Sequence, residues 1–283
     1  SYNKINLTGK AYGWYNSSMY FAGSNCSYVN LALDAISLSD MDIDFSNYDT
    51  LVVVLSRPSC SFGDIATSVN LTFNTNDGLV RLKLALFSDL RDINNSGAAG
   101  VHEIGHTLGL QHAGALYCQE NVTIGSNCTT YSYSDYFDVM GSGTGHLNSA
   151  HKETLGWLDE SQILTTNTSG VYYIHPLEIN SYDLKAIKIP MVYNNKNLSY
   201  YLEYRRRVGY DNVSGPLYNP FVYDGTMLHI NLWAGSADTN ILDADHLSLV
   251  SGDFVLAVNK SFIDKANSIR ITTLGFNDSA LAV

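Results

Sequence analysis

Residues 102 to 112 read His-Glu-Ile-Gly-His-Thr-Leu-Gly-Leu-Gln-His, a set of residue types and spacings suited to a metal ion. On a helix of about 3.6 residues per turn, His102 and His106 lie one above the other, so both imidazoles can reach the same ion. Glu103 falls about 100° around the helix from His102, beside the ion rather than in line with the ligands. There its carboxylate can hold a water and act as general base. A helix continued to His112 would carry that residue about 9 Å past His106 along the axis, too far to share the ion. Gly109 offers the way back, because glycine reaches the left-handed conformations that end helices and redirect the chain. His112 then serves as third ligand. Three neutral imidazoles leave a fourth position open, and zinc at such a site lowers the pKa of water from about 15.7 to about 7. One catalytic Zn2+ is the expected cofactor. Because the ligands must be deprotonated, activity is expected to fail in acid.

The stretch resembles HExxHxxGxxH, the zinc signature of the metzincin endopeptidases. That likeness implies a methionine turn beneath the metal, for which Asp138-Val139-Met140-Gly141 is the candidate, with Met140 as its structural methionine. Ala113-Gly114 after the motif, Met140-Gly141, and Asn148 followed by Leu155-Gly156-Trp157 are similar to the gametolysin-like branch. Downstream, Tyr200-Tyr201-Leu202-Glu203-Tyr204-Arg205, Val208-Gly209-Tyr210-Asp211 and Leu228-His229-Ile230-Asn231 look like the β-rich region that follows the catalytic domain in this branch and in related secreted bacterial metalloproteases. The specific part of the likeness is 102–157. One departure matters: Ser142 stands two residues after the methionine, where astacin-like and serralysin-like enzymes place tyrosine. A tyrosine ligand or oxyanion donor from that position is therefore not expected.

The resemblance implies a secreted or cell-surface zinc endopeptidase acting on extracellular or cell-wall glycoproteins. His102, His106 and His112 would be its ligands, and Glu103 would take a proton from the attacking water and deliver it to the leaving amine. Two other readings stand beside it. One is a non-catalytic surface or matrix-binding glycoprotein with a vestigial metzincin domain, against which the intact Glu103 argues. The other is hydrolysis of a non-peptide amide by the same zinc chemistry.

His146, His151, His175, His229 and His246 lack ligand spacing and are expected to be structural or surface residues. His146 and His151 follow the methionine turn, where the family shapes the pocket for the residue after the cleaved bond. Arg205 to Arg207 are expected to pair with local carboxylates, Glu203 among them. Asp243 and Asp245 are a bare hint of Ca2+, a reading that two loop aspartates do not support. Cys26, Cys60, Cys118 and Cys128 form an even set without CxxC spacing, which fits disulfides better than a thiolate metal site. Cys118 with Cys128 is the natural local pair and leaves Cys26 with Cys60; four unpaired buried thiols are the alternative.

Asn-x-Ser/Thr sequons occur at Asn6, Asn16, Asn25, Asn70, Asn94, Asn121, Asn127, Asn167, Asn197, Asn212, Asn259 and Asn277, a density that favours an extracellular location. A formal net charge of -11 and a single short basic run argue against a nucleic-acid partner. No apolar run reaches the roughly 18 residues a membrane span needs, and no signal-peptide pattern opens the chain. A start at Ser1 suggests a processed product whose signal and any pro-segment are missing.

The elements that must position these residues follow from apolar periodicity. Tyr28 to Leu38 suits a partly buried helix, Leu51 to Leu55 a buried strand, and Asn70 to Phe73 and Leu79 to Phe87 two further strands around the turn signal Asn76-Asp77-Gly78. A helix beginning near Ser96 carries the histidines, and 118–145 reads as loop. Beyond Trp157 the segments 171–174, 186–189, 200–204, 227–232 and 254–258 alternate like strands. The expected fold is α+β: a metzincin-type catalytic domain at 1–158, with a twisted mixed sheet and an active-site helix, then an all-β, sandwich-like domain at 159–283.

Overall fold

The computed structural model describes residues 2–19, 27–55, 63–87, 97–118, 124, 128–212, 224–231, 238–244, 254–277 and 279–283. Alternation in strand β4 (Gly78–Phe87) organises the first part of the chain. Val80, Leu82, Leu84 and Leu86 face one side and join Leu31, Ala32 and Ile36 of helix α1 (Tyr28–Ser39), with Phe45, Val53 and Phe73, in one buried cluster. β1 (Thr50–Val54) lies parallel to β4, while β2 (Ile65–Ala66) and β3 (Leu71–Thr75) pair with it antiparallel. The sheet is therefore mixed, as expected. Helix α2 (Ala98–Thr107) packs against β4 and β2, and the Lys83 ammonium, at an odd position of β4, donates to the Thr107 carbonyl at its C-terminal end.

The rest of the chain is built on an eight-stranded sheet in the order β6-β5-β12-β11-β10-β9-β7, with β13 also paired to β11. These strands are β5 (Ala113–Cys118), β6 (Cys128–Tyr131), β7 (Ile163–Thr165), β9 (Ala186–Tyr193), β10 (Lys196–Glu203), β11 (Gly225–Asn231), β12 (Thr239–Leu242) and β13 (Val255–Ala257). β5 and β12 run parallel, as do β7 and β9. A hairpin of β14 (Ser261–Asp264) and β15 (Ile269–Thr272), and a small sheet of β16 (Gly275–Phe276), β17 (Leu281–Ala282) and β8 (Tyr173–Ile174), contribute to the same core. Phe262, Ile271, Leu281 and Ile174 from these pieces meet Tyr200, Leu202, Leu228 and Ile230 of the large sheet in one apolar cluster. Helix α3 (Ser149–Thr154) is capped by Asn148, whose side chain accepts from the His151 amide at 2.9 Å.

Among the described residues the architecture is thus α+β, mostly sheet with few helices and no barrel. The chain divides into two compact units, Asn6–Leu110 and Ser1–Ile5 with Gln111–Val283. The boundary expected between 158 and 159 does not coincide with this division. β5 and β6, which precede it in sequence, share one sheet with β7 and β9 to β13, which follow it. β5 escaped the sequence reading because Ala113-Gly114-Ala115-Leu116 has no polar alternation, its residues being buried on both faces. β6 likewise lies inside the stretch read as loop. Among the described residues no helix is long and apolar enough to cross a membrane.

Candidate metal centre

Helix α2 brings His102 and His106 together, their ring centroids 4.8 Å apart and their Nε2 atoms 3.1 Å apart. The tautomer of His106 follows from its partner. Its Nδ1 lies 2.8 Å from the Leu110 carbonyl, which can only accept, so Nδ1 carries the proton and Nε2 presents a lone pair toward His102. Leu110 is in place because the helix ends in a tight backbone motif. The Leu110 amide donates to the Gly105 carbonyl at 3.1 Å and the Gly109 amide to the His106 carbonyl at 2.9 Å, a Schellman arrangement. This requires a left-handed residue, and Gly109 has φ 101 with open space where a Cβ would stand. Its conformation, rather than room, calls for glycine.

His112 follows this reversal, and one ring nitrogen from each of His102, His106 and His112 lies within 4.8 Å of the others. Among the described residues these form the one group of three or more His, Cys, Asp or Glu side chains placed to share an ion. Does zinc fit the set? Two nitrogens held at about 2.0–2.1 Å by one tetrahedral ion stand about 3.3 Å apart, close to the 3.1 Å between the α2 histidines. The donor set is three imidazoles. Beside it, Glu103 is 6 % exposed and its Oε2 has no hydrogen-bond partner among the described residues. Burial, with the Asp64 charge adding to it, pushes its carboxyl up to about 7. A buried carboxylate oxygen that no described donor satisfies, on the residue directly after His102, suits a cation and a water, so the residues fit.

The methionine turn is held from several directions. Met140 is fully buried; its amide donates to Asp138 Oδ1 at 2.7 Å and its carbonyl accepts from the Ala113 amide, the residue after His112, at 2.9 Å. Gly141 has no space for a side chain, since a Cβ would stand 2.1 Å from the Asp135 carbonyl. Asp138 Oδ2 accepts from the Asn148 amide at 2.7 Å and pairs with His151 Nδ1 at 2.9 Å. Burial by itself raises the Asp138 carboxyl, but the His151 charge and the hydrogen bonds from His151, Asn148 and Met140 outweigh it and hold the group at about 2. On the far side of His151, Nε2 lies 3.4 Å from Thr239 Oγ1, and the Thr239 amide donates to the His112 carbonyl at 3.2 Å. A chain of contacts therefore runs from the methionine turn to the backbone of the third histidine.

The other described histidines lie in different surroundings. His229 is buried between Asp135 at 3.0 Å and Glu203 at 3.7 Å; although burial lowers its pKa, these carboxylates prevail and raise it. His146 is half-buried, and desolvation with the Lys152 charge lowers it to about 4. His175 stands 3.7 Å from Asp183, and His246 lies outside the described residues. Arg205 does pair with Glu203, at 2.8 Å, and with Asp211, at 3.3 Å. Ser142, two residues after Met140, donates to the Tyr133 carbonyl at 2.6 Å. The sequence reading missed Tyr133, whose ring lies on His112 with centroids 3.9 Å apart. It also missed Asp138, His151 and Thr239 as supports; the Asp two positions before Met140 was the one signal available.

Cys118 and Cys128 form a disulfide that joins paired positions of β5 and β6, while Cys26 and Cys60 lie outside the described residues. So does Asp245, the second half of the calcium hint. No family model matches the chain, and neither the curated proteins nor the solved structures contain a match to it.

Proposed function

We propose that this chain is a zinc-dependent endopeptidase of the metzincin type, in the gametolysin-like branch, whose ligands are His102, His106 and His112. The observation that carries the reading is the convergence of three imidazole nitrogens within 4.8 Å, with the residue directly after His102, Glu103, buried and its Oε2 without a hydrogen-bond partner among the described residues. Bound zinc would supply a Lewis acid there and make a coordinated water acidic enough to be useful near neutrality. Glu103 accepts the proton of the attacking water and returns it to the leaving amine, a role that its raised pKa suits. The cation's charge favours the ionised carboxylate before attack. Asp138-Val139-Met140-Gly141 is the methionine turn in this reading, and its tie to Ala113 keeps it next to the third ligand.

A secreted or surface location, with extracellular or cell-wall glycoproteins as substrates, completes the proposal. The Cys118–Cys128 bond supports it. So does the exposure of every described sequon asparagine, namely Asn6, Asn16, Asn70, Asn167, Asn197, Asn212, Asn259 and Asn277.

The test is cleavage of a mixed denatured-protein substrate by wild type and Glu103→Gln, with bound zinc quantified in both. Wild-type cleavage that falls by at least about a hundredfold in the variant, at one zinc per chain in each, is the expected result. Zinc without cleavage of any peptide would favour the non-catalytic surface protein, and cleavage confined to small amides would favour the non-peptide hydrolase. A folded chain that binds no zinc would sink the proposal.

A further inference from the structure

Tyr133 occupies a backbone conformation that tyrosine avoids. Its φ is 60, in the left-handed region where the Cβ of an L-residue crowds the following carbonyl. Such a residue persists only where its surroundings over-determine it. Here Ser142 Oγ donates to the Tyr133 carbonyl at 2.6 Å, the Ser142 amide donates to the Asp135 carbonyl at 3.0 Å, and the Asp135 amide donates to the Ala113 carbonyl at 3.3 Å. The loop is stitched to the methionine turn on one side and to the residue after His112 on the other.

Core packing does not account for the strain, because the Tyr133 side chain is 44 % exposed and joins none of the buried clusters of the described residues. What the conformation does achieve is contact between the phenol ring and the His112 imidazole, with centroids 3.9 Å apart and planes 38° from parallel. The orientation of an imidazole is set by two side-chain bonds. A ring laid on one face restricts rotation about them and keeps water from that face.

We infer that Tyr133 is a positioning residue for the third metal ligand: its ring fixes the plane of the His112 imidazole, and Ser142 holds it there. This rests on the reading of His112 as a zinc ligand.

The left-handed backbone makes the test unusually clean. Glycine is at ease at φ 60, so Tyr133→Gly removes the ring while easing the backbone. Zinc affinity is measured by competition with a chromophoric chelator, and thermal stability on the zinc-free protein, for wild type, Tyr133→Phe and Tyr133→Gly. Tyr133→Gly is expected to keep the melting temperature of the metal-free chain while its zinc affinity falls about threefold to tenfold, the scale of an aromatic pair. Tyr133→Phe, which keeps the ring, should bind zinc as wild type does. Unchanged affinity in Tyr133→Gly overturns the inference, as does a loss of metal-free stability that matches the loss of affinity. An equal loss in Tyr133→Phe would assign the effect to the hydroxyl and overturn it too. A wild type that binds no zinc defeats the zinc reading itself, whereas a zinc-loaded wild type with an indifferent Tyr133→Gly defeats only this step.

Discussion

Replacing Gly109 with alanine isolates the turn that carries the chain from the second histidine to the third. At φ 101 the backbone lies beyond the centre of the left-handed region, and no atom comes within 4 Å of an added Cβ. Steric clash with neighbours is thus absent, leaving the local conformational penalty of about 1–2 kcal/mol for an L-residue. That penalty must appear in the zinc-loaded state, which needs His112 turned back toward His106. Whether it also appears in the metal-free state depends on whether the chain relaxes there. If it stays turned, urea unfolding of the metal-free protein loses about 1–2 kcal/mol and zinc affinity is unchanged; if it relaxes, zinc must restore the turn and affinity falls about fivefold to thirtyfold. The sum of the two terms is the same in either case. Urea unfolding and chelator competition on Gly109→Ala measure both, and Gly109→Asn, which tolerates left-handed backbone better, should lose less. A sum below about 0.3 kcal/mol, against the expected penalty, would refute the argument that this glycine redirects the ligand.

Arg205 is 1 % exposed and bonds Glu203, Asp211 and the carbonyls of Phe137 and His146, so Arg205→Ala strands buried groups on every side. A loss of about 3–5 kcal/mol is expected, read as a fall of roughly 10 °C in the melting temperature; a shift within about 2 °C would show that these groups find other partners. Acid should weaken the metal-free protein through two groups in two stages, opposed by the raised carboxyls of Glu103 and Glu178, which favour the folded state as pH falls toward 4.5. The lowered pKa of His146, about 4, means the folded state resists a proton that the unfolded chain accepts below 6.5, so the His146 contribution to stability declines from 6.5 toward 4. Asp138, held at about 2, contributes about 2 kcal/mol above its ordinary 3.8 that disappears as pH falls through that range. Urea midpoints against pH for wild type and His146→Ala check the first stage, which should flatten in the variant. Finally, chain produced in a glycosylating host should lose mass on enzymatic deglycosylation, with the changes mapping to exposed asparagines such as Asn70, Asn167 and Asn197; an unchanged intact mass would remove the main support for a secreted location.

What could be read from the sequence is what local spacing determines. Two histidines one helical turn apart meet whenever the helix forms, and a glycine at the exit dictates the reversal, so His102, His106, Gly109 and His112 were legible together. The alternation of β4 was legible for the same reason. Strand β5 was not, because four small or apolar residues acquire strand geometry only when β12, more than a hundred residues later, pairs with them. The His151 to Thr239 contact spans 88 positions and His229 to Asp135 spans 94, so no short-range pattern marks them. Tyr133 was hidden by a different cause. Neither its own identity nor its neighbours announce a left-handed tyrosine, since Ser132-Tyr133-Ser134 reads as ordinary loop.

The placement of so many buried charges has one physical origin. Between β6 and α3 the chain makes no regular ladder, yet residues 137–141 and 147–149 are buried. Buried amides and carbonyls without strand or helix partners must find side chains. The Phe137 amide takes Asp135, the Met140 and Asn148 amides take Asp138, the His146 amide takes Asp211 and the Ser149 amide takes Glu203. Four carboxylates serve as acceptors, and each then needs a cation, which is where His151, His229 and Arg205 enter. Arg205 meanwhile supplies donors to the carbonyls at both ends of the turn. Glu203, Arg205, Asp211 and His229 all come from the β-rich stretch beyond 158. The loop around the methionine turn is therefore held in part by residues beyond 158, and a chain cut there would remove the partners of the His146 and Ser149 amides and of the Phe137 and His146 carbonyls. The same sheet that carries those charges pairs β12 with β5 and so fixes the chain directly after the third histidine. In this protein the β-rich region is part of the support of the candidate metal centre, not an appendage to it.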